Sequence, residues 1–530
     1  MARNDLMGGV VSLLARRGFV FPSSEIYGTF AGFYDYGHYG IQLKRNIEQS
    51  WWEHFVLKRE DVVGIDGTII TSPSIWNASG HLREFTDPLI ECGKCHSRFR
   101  ADQLIEDELK LSVEGMSLDA VNALISEHKL KCQKCDGNLE VAKPFNLMFK
   151  THVGASEEES AAAYLRPETA QHIFTNFKQV QLTTRKQLPF GIAQMGKAFR
   201  NEISPRNFLF RCREFSQMEL EYFVHPERMD AGMEFEGADL GMEISVLTAA
   251  MQEKKQSDGR AYNFGELIEK KVIGTKVHAY WVLNSYKWFA RVLGIRPEHL
   301  RIREHVKTEL SHYSKETWDI EYLYPWGWKE LAGIANRGDY DLRQHMLESK
   351  KDLTYFDEGS KKKVLPFVIE PSFGLERAFL TAIIDAYEEK IEKKEGDKAP
   401  AATETATEGS PNAKPAPIEK KTLLHLSAKI SPVKIAVFPL MKKDGLAEKA
   451  REVYLLLKAH FASEYDESGS IGRRYARQDE VGTPFCVTID YDSLKDGTVT
   501  LRERDSAQQK RIKIDELEKS VEKILEGERF

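Results

Sequence analysis

The sequence predicts an α+β domain built on a mixed, mainly antiparallel sheet, followed by a smaller α/β domain. Three observations carry this. At 530 residues the chain is too long for a single hydrophobic core, so two or three domains are expected. Over residues 1–388, strands recur among long helices such as KRNIEQSWWEHFVL and LERAFLTAIIDAYEE without strict β-α alternation, which favours an antiparallel sheet with helices on its faces. Residues 389–422 then lose their large apolar side chains and fill with Ala, Pro, Thr, Glu and Lys, a composition that cannot bury enough surface to fold and reads as a disordered linker.

The remaining stretch, 423–530, has a common domain size. It opens with an apolar strand (VKIAVFPL), turns at Asp444-Gly445, and enters a helix with Leu446, Ala450, Tyr454 and Leu457 at helical spacing. FCVTID and GTVTLRER read as further strands, and KIDELEKSVEKILEG as a closing helix. Basic residues gather here at Arg473, Arg474, Arg477, Lys510, Arg511 and Lys513. Spacing alone leaves two readings open, a solvated charged face and contact with an RNA backbone.

No apolar run approaches the roughly 18 to 20 residues that cross a bilayer, and MARNDLMGG lacks an apolar signal region, so a soluble cytoplasmic protein is expected. The formal net charge of -6 argues against a protein that coats nucleic acid, although a local basic face can still dock one. Neither GxGxxG nor GxxxxGK[ST] occurs, so a bound nucleotide would be held in another way.

Four of the six cysteines form two CxxC pairs, Cys92/Cys95 in ECGKCH and Cys132/Cys135 in KCQKCDG. Each pair brackets a tight turn, the geometry that lets two thiolates share one tetrahedral zinc. A structural zinc knuckle is expected over 91–145, with SLDAVNALISEH a small helix inside it; redox-inert surface thiols are the alternative. No fifth ligand is indicated, so this metal would hold a fold and do no chemistry.

The densest charge pattern is FRNEISPRNFLFRCREFSQMELEYF, residues 199–223. Strand alternation places Gln194, Gly196, Ala198, Arg200 and Glu202 on one face. On the returning strand Phe215, Gln217, Glu219 and Glu221 share a face, while Met218, Leu220 and Tyr222 point into the core. Arg206 and Arg211 lie in the loop between. An exposed cross-strand ion-pair ladder would stabilise little and would not account for Phe215 on the polar face. The pattern suits instead a platform for a ligand carrying an aromatic ring, a polyanion and an ammonium group, since arginine forks fit phosphate and carboxylates fit a cation or Mg²⁺. In VLPFVIEPSFGLERAF, a strand is expected to end at Glu370, break at Pro371 and Gly374, and enter a helix with Arg377 in its first turn. A cation there opposes the helix dipole, which an anion above the terminus would explain; an ordinary surface arginine is the alternative.

These residues resemble a known family. FRNE…FRCREFSQMELE is similar to motif 2, and FGLER to motif 3, of the class II aminoacyl-tRNA synthetases; KRNIEQSWWEHFVLKREDVVGIDGTIITSP, ending at Pro73, is similar to motif 1. GFYDYG, PFNLMF, YLRPETAQ, GIANRGDYDL and EPSFGLER resemble the homodimeric glycyl-tRNA synthetases, and GSIGRRYARQDEVGTPFCVTID their anticodon-binding domain. The likeness runs almost end to end.

The resemblance implies a class II catalytic domain over 1–388, with the Cys-pair insertion and a further inserted region of helices and strands at about 226–320, and an anticodon-binding domain over 423–530. It implies a cytoplasmic homodimer that binds ATP with Mg²⁺, glycine and tRNA(Gly), joining glycine to the 3′-terminal ribose of the tRNA through glycyl-adenylate. In it, Arg200 holds the α-phosphate, Glu202 lies at the adenine and Phe215 stacks on it. Arg211 reaches the γ-phosphate, Arg377 closes from the other side, and Glu330 stands near the phosphates and Mg²⁺. The implied ATP contacts also take in Asn201, Phe210, Cys212, Arg213, Glu214, Leu331, Gly374, Leu375 and Glu376. Arg200, Glu202 and Arg377 carry the catalysis. For glycine it implies Arg100, Glu168, Phe215, Ser216, Gln217, Met218, Glu219, Glu370, Pro371, Ser372, Phe373 and Gly374, and for the anticodon Arg473, Arg474 and Arg477. The chain departs from its relatives at His38 and Tyr39 (YGHYG for YGPLG) and at His172 (ETAQHIF for ETAQGIF). Packing roles are expected for both histidines. Two rival readings are an enzyme of the same class charging serine, threonine or proline, and a synthetase-derived binding protein without activity. The second would be expected to have lost the ligand arginines, which are present here.

Overall fold

The structure, a computed structural model, describes residues 3–111, 113, 116–155, 158–311, 313–392, 419–528 and 530. The chain divides into two compact units, one of residues 20–35 and 47–381, the other of residues 1–19, 36–46 and 382–530. Residues 1–19 and 36–46, expected within the domain over 1–388, bond within the smaller unit. Arg16 and Arg17 pair with Glu480 at 2.8 and 2.5 Å, the Tyr39 hydroxyl donates to Glu464 at 2.6 Å, and the Asn46 amide donates to the Ile430 and Ser431 carbonyls.

The larger unit is organised by a nine-stranded sheet. Its order is Arg260–Asn263, Glu243–Leu247, Leu300–Glu304, Glu316–Tyr324, Gly327–Gly338, Phe367–Gly374, Glu214–Val224, Phe190–Phe199 and Val62–Ile65. Only the second and last pairings are parallel, as the mixed, mainly antiparallel expectation requires. The region at about 226–320, expected as an inserted region of helices and strands, joins this sheet. It supplies the strands Glu243–Leu247, Arg260–Asn263, Leu300–Glu304 and most of Glu316–Tyr324, and so the sheet's outer part.

Three central strands fix the functional face. Gln194 pairs with Glu219, Gly196 with Gln217 and Ala198 with Phe215, while Glu219 also pairs with Ser372 on the other side. Opposed residues share a face, so this face carries Phe215, Gln217, Glu219, Glu221 and Phe223 in order along one strand. At its deep end the helix Ala170–Thr184 covers Phe190, Ile192, Phe223 and Val368 with Ile173, Phe174 and Phe177. The opposite face holds Met218, Leu220 and Tyr222, all fully buried, and Phe373 packed among Trp51, Phe55, Trp288 and Phe289 at ring distances of 5.2 to 5.8 Å. Two local expectations change. The strand Phe190–Phe199 stops before Arg200 and Glu202, which belong to the loop, and the strand Phe367–Gly374 runs through Pro371 instead of breaking there, with Pro371 in register with Ile334.

The smaller unit has a five-stranded sheet, ordered Ser463–Tyr465, Ile435–Pro439, Phe485–Ile489, Thr498–Glu503 and Gln509–Lys513, parallel across its first three strands. The expected helix Leu446–Lys458 buries Leu446, Ala450, Tyr454 and Leu457, and the closing helix is Ile514–Glu526. The ends of the expected linker are ordered: Tyr387–Glu392 pairs antiparallel with Glu419–Leu424, from Tyr387 with Leu424 to Glu392 with Glu419. The rest of that expectation, 393–418, lies outside the described residues. Among the described residues no helix is long and apolar enough to cross a membrane.

Candidate active site

The open end of the functional face borders a cavity of about 190 Å³ lined by Arg200, Glu202, Leu209, Phe210, Arg211, Cys212, Phe215, Gln217, Glu330, Ser372, Gly374, Glu376 and Arg377. The sheet brings these together from segments far apart in sequence. The Arg200 guanidinium lies 5.2 Å from the Phe215 ring centre and 5.3 Å from that of Phe85, and its Nε donates to the Pro167 carbonyl at 3.1 Å. Arg377, in the first turn of the helix Leu375–Ala386, pairs with Glu330 at 3.1 Å and lies 4.6 Å from the Phe210 ring centre. Arg211 stands 3.8 Å and Arg100 3.9 Å from Glu202, beyond hydrogen-bonding reach. Glu202 Oε2, Arg211 Nη1 and Gln217 Oε1 are buried at this cavity without a hydrogen-bond partner. Buried polar atoms are nearly always satisfied, so three orphans around one cavity leave hydrogen-bonding capacity there for a polar partner.

Deeper on the same face the carboxylates are interlocked. Glu219 accepts from Thr169 N at 2.9 Å, from the Thr169 hydroxyl, from Gln217 at 2.9 Å and from Ser372 Oγ at 2.7 Å. Glu168 accepts from Gln171 at 3.0 Å and faces His81 at 3.2 Å. Arg337 grips Glu370 through Nη1 at 2.8 Å to each oxygen and Asp341 through Nε and Nη2 at 2.7 and 2.8 Å. Burial pushes the Glu219 carboxyl up, and Glu168 adds to it; at Glu168 burial acts the same way but is outweighed by His81 and Arg337, which hold that carboxyl below the usual range. This end is a carboxylate-rich pocket suited to an ammonium group.

Several expected residues lie elsewhere. Met218 and Phe373 point into the opposite core and Leu331 is a buried core residue, because strand parity turns their side chains from the cavity, and Leu375, at the start of its helix, is fully buried. Arg213 is a backbone clamp, donating to the Glu202 and Ala31 carbonyls at 2.9 and 2.8 Å, and Glu214 pairs outward with Lys197 at 2.9 Å. The Asn201 amide donates to the Leu147 carbonyl, and Ser216 N donates to Glu376 at 2.7 Å. Arg100 is held by Asp87 and Asp102, both at 2.5 Å, on the Glu202 side of the cavity, away from Glu219. Sequence reasoning passed over His81, Thr169, Gln171, Arg337 and Asp341. Thr169 and Gln171 stand in YLRPETAQ and Arg337 and Asp341 in GIANRGDYDL, so the motifs were visible and their inward-facing members were not.

Arg474 is 3% exposed and donates to the Pro439 and Gly469 carbonyls, so it cannot reach an RNA. Arg477 pairs with Asp466 and Arg473 is exposed. The His172 ring lies against Gly67, where an added Cβ would come within 2.7 Å of it, and burial with Arg166 nearby pushes the imidazole down to about 4.

The two Cys pairs converge. The four sulfurs lie within 4.8 Å of one another, with Cys92–Cys135 and Cys95–Cys132 both at 3.6 Å. Sulfurs of a tetrahedral zinc site, with bonds of about 2.3 Å, stand about 3.8 Å apart, so the donor set fits. The two turns repeat each other. Lys94 N and Lys134 N each donate to the first sulfur of their pair at 3.4 Å, and His96 and Asp136 each follow the second cysteine with φ of 54° and 59°.

Comparison with known proteins agrees with this geometry. The family described as "tRNA synthetase class II core domain (G, H, P, S and T)" matches residues 149–387, and "Anticodon binding domain" matches 434–524. The chain is 46% identical over 525 residues to a glycine–tRNA ligase of Caldanaerobacter subterraneus subsp. tengcongensis, covering 98% of each chain. It is 46% identical to one of Acetivibrio thermocellus over 96% of each, and 43% identical to one of Clostridium perfringens over 99% of this chain and 100% of that protein. With near-complete coverage at this identity, and the motif residues gathered at one cavity, the chain belongs to the glycine–tRNA ligase family of class II aminoacyl-tRNA synthetases.

Proposed function

We propose that the cavity and the carboxylate pocket beneath it are the two halves of one adenylate-forming site. The chain is a glycine–tRNA ligase: it joins glycine to ATP, then passes the glycyl group to tRNA. In the first step a glycine carboxylate oxygen attacks the α-phosphorus and the bond to the β-phosphate breaks, releasing pyrophosphate. In the second, a ribose hydroxyl of the tRNA attacks the glycyl carbonyl carbon and AMP leaves. Neither step needs a protein nucleophile, so catalysis reduces to positioning and charge stabilisation.

Arg200 holds the α-phosphate, with the adenine stacked near Phe215 and Glu202. Arg211 and Arg377 meet the β- and γ-phosphates. Glu330 fits Mg²⁺ as a cavity-lining carboxylate beside Arg377, and the ion would neutralise phosphate charge there. Glu219, Glu168 and Ser372 receive the glycine ammonium. The orphaned Arg211 and Glu202 atoms are the observation that supports a ligand between them. Glycine has no side chain to grip, so selection must come from holding its two charged ends and leaving no room for a Cβ.

The experiment is ATP–pyrophosphate exchange with a panel of amino acids. Glycine alone should support it; equal exchange with serine, threonine or proline would sink the glycine reading, and no exchange with any of them would favour an inactive relative. The protein is further read as a cytoplasmic homodimer with zinc at Cys92, Cys95, Cys132 and Cys135. Metal analysis should return about one zinc per chain, lost in Cys132→Ser; a metal-free, equally stable protein would refute it.

A further inference from the structure

One carboxyl of the platform takes no part in the contacts above. Glu221 is 0% exposed, and neither of its oxygens has a hydrogen-bond partner among the described residues. It sits two residues below Glu219 on the same face, opposite Ile192 and next in line to Phe223, where the platform turns from polar to apolar. The ionisable groups whose charges act on it are Glu219 on its own strand, Glu370 on Phe367–Gly374, Asp341 on the helix Tyr340–Ser349 and Arg337 on Gly327–Gly338. Three are carboxyls. The one cation, Arg337, already places Nε, Nη1 and Nη2 on Asp341 and Glu370.

We propose that Glu221 is a positioning residue that works as the neutral acid, setting the charge of the amino-acid pocket by contributing none. The proposal rests on reading Glu219 and its neighbours as the glycine site. An isolated buried carboxylate loses its solvation without recompense and takes up a proton instead. Burial pushes the Glu219 carboxyl up as well, but four donated hydrogen bonds work against that and favour its anion, and Glu221 accepts none among the described residues. Burial, with Glu370 and Glu219 adding to it, pushes the Glu221 carboxyl well above the usual carboxylate range. A charged Glu221 would place a further anion beside Glu219 and Glu370, forcing one of them to protonate or drawing the ammonium below the level of the α-phosphate.

Glutamine copies the shape of a neutral glutamic acid, so Glu221→Gln is the informative variant. Infrared spectra of the ligand-free full chain at pH 7 should show a protonated-carboxyl C=O band that shifts in D₂O and is lost in Glu221→Gln. That variant should keep kcat and the KM for glycine within about threefold, whereas Glu221→Ala should raise the KM for glycine about tenfold with the KM for ATP unchanged. Absence of the band, or a Glu221→Gln protein that fails to fold or loses glycine binding as Glu221→Ala does, overturns the proposal. Loss of glycine-dependent exchange in the native protein would overturn the site reading instead, and the infrared band would still report on Glu221.

Discussion

The open end of the platform, around Arg211 and Arg377, and its deep end, around Glu219 and Arg337, use the same residue types in opposite ways. At the first, Arg211 and Glu202 stand 3.8 Å apart without a hydrogen bond and Arg377 pairs with one carboxylate among the described residues; at the second, Arg337 bonds two carboxylates, Gln171 adds a bond to Asp341, and Glu219 accepts four hydrogen bonds. Charges at the open end are held ready for a ligand. Those at the deep end hold the protein together before any ligand arrives, so their loss should be felt in stability as well as in activity.

The largest test of that contrast is Arg337→Ala. It strands Glu370 and Asp341 in the interior and should lower unfolding stability by about 3–5 kcal/mol, read by denaturant titration. A stable Arg337→Ala protein would erase the difference between the two ends. Next is Arg200→Ala, which should reduce glycine-dependent exchange on the order of 10²–10³-fold with an unchanged melting temperature. Near-normal exchange would remove Arg200 from the α-phosphate.

A smaller effect should come from His172, which lies buried near the deep end. Its imidazole is held near 4, below the ordinary value of 6.5, so between these values the unfolded chain binds the proton more readily. Its contribution is therefore intact above pH 6.5 and is lost as pH falls toward 4, the loss reaching roughly 1–2 kcal/mol by pH 5 once solvent screening is allowed for. His172→Gln should lack that acid limb; parallel stability curves for both proteins would show that the ring protonates freely. The smallest contrast lies in the other unit. Arg474→Ala should destabilise by about 1–2 kcal/mol through two abandoned carbonyls. Arg473→Ala should leave stability alone and raise the KM for tRNA by no more than about fivefold, the effect of one backbone contact. The reverse pattern would restore Arg474 to the anticodon.

How much of this was legible depended on whether a signal is local. Two CxxC turns announce themselves by spacing, and strand parity placed Phe215, Gln217, Glu219 and Glu221 on one face and Met218, Leu220 and Tyr222 on the other. Parity failed one step further on, at Arg200 and Glu202, because it says nothing of where a strand ends. His81, Gln171, Arg337 and Asp341 were illegible for a different reason. Each is one polar residue in its own segment, and only the folded sheet makes them a network. Arg474 was misread because the inner face of its helix, with Arg474 and Gln478 buried, is polar and gives no hydrophobic period.

The short ladder from Tyr387–Glu392 to Glu419–Leu424 has a consequence for how this chain can vary. Because Glu392 lies directly across from Glu419, the intervening stretch departs from and returns to a single rung. The ladder therefore holds those two ends at one fixed separation, whatever number of residues joins them. An affinity tag or a reporter domain inserted between 392 and 419 should leave the pairing of Tyr387 with Leu424 in register.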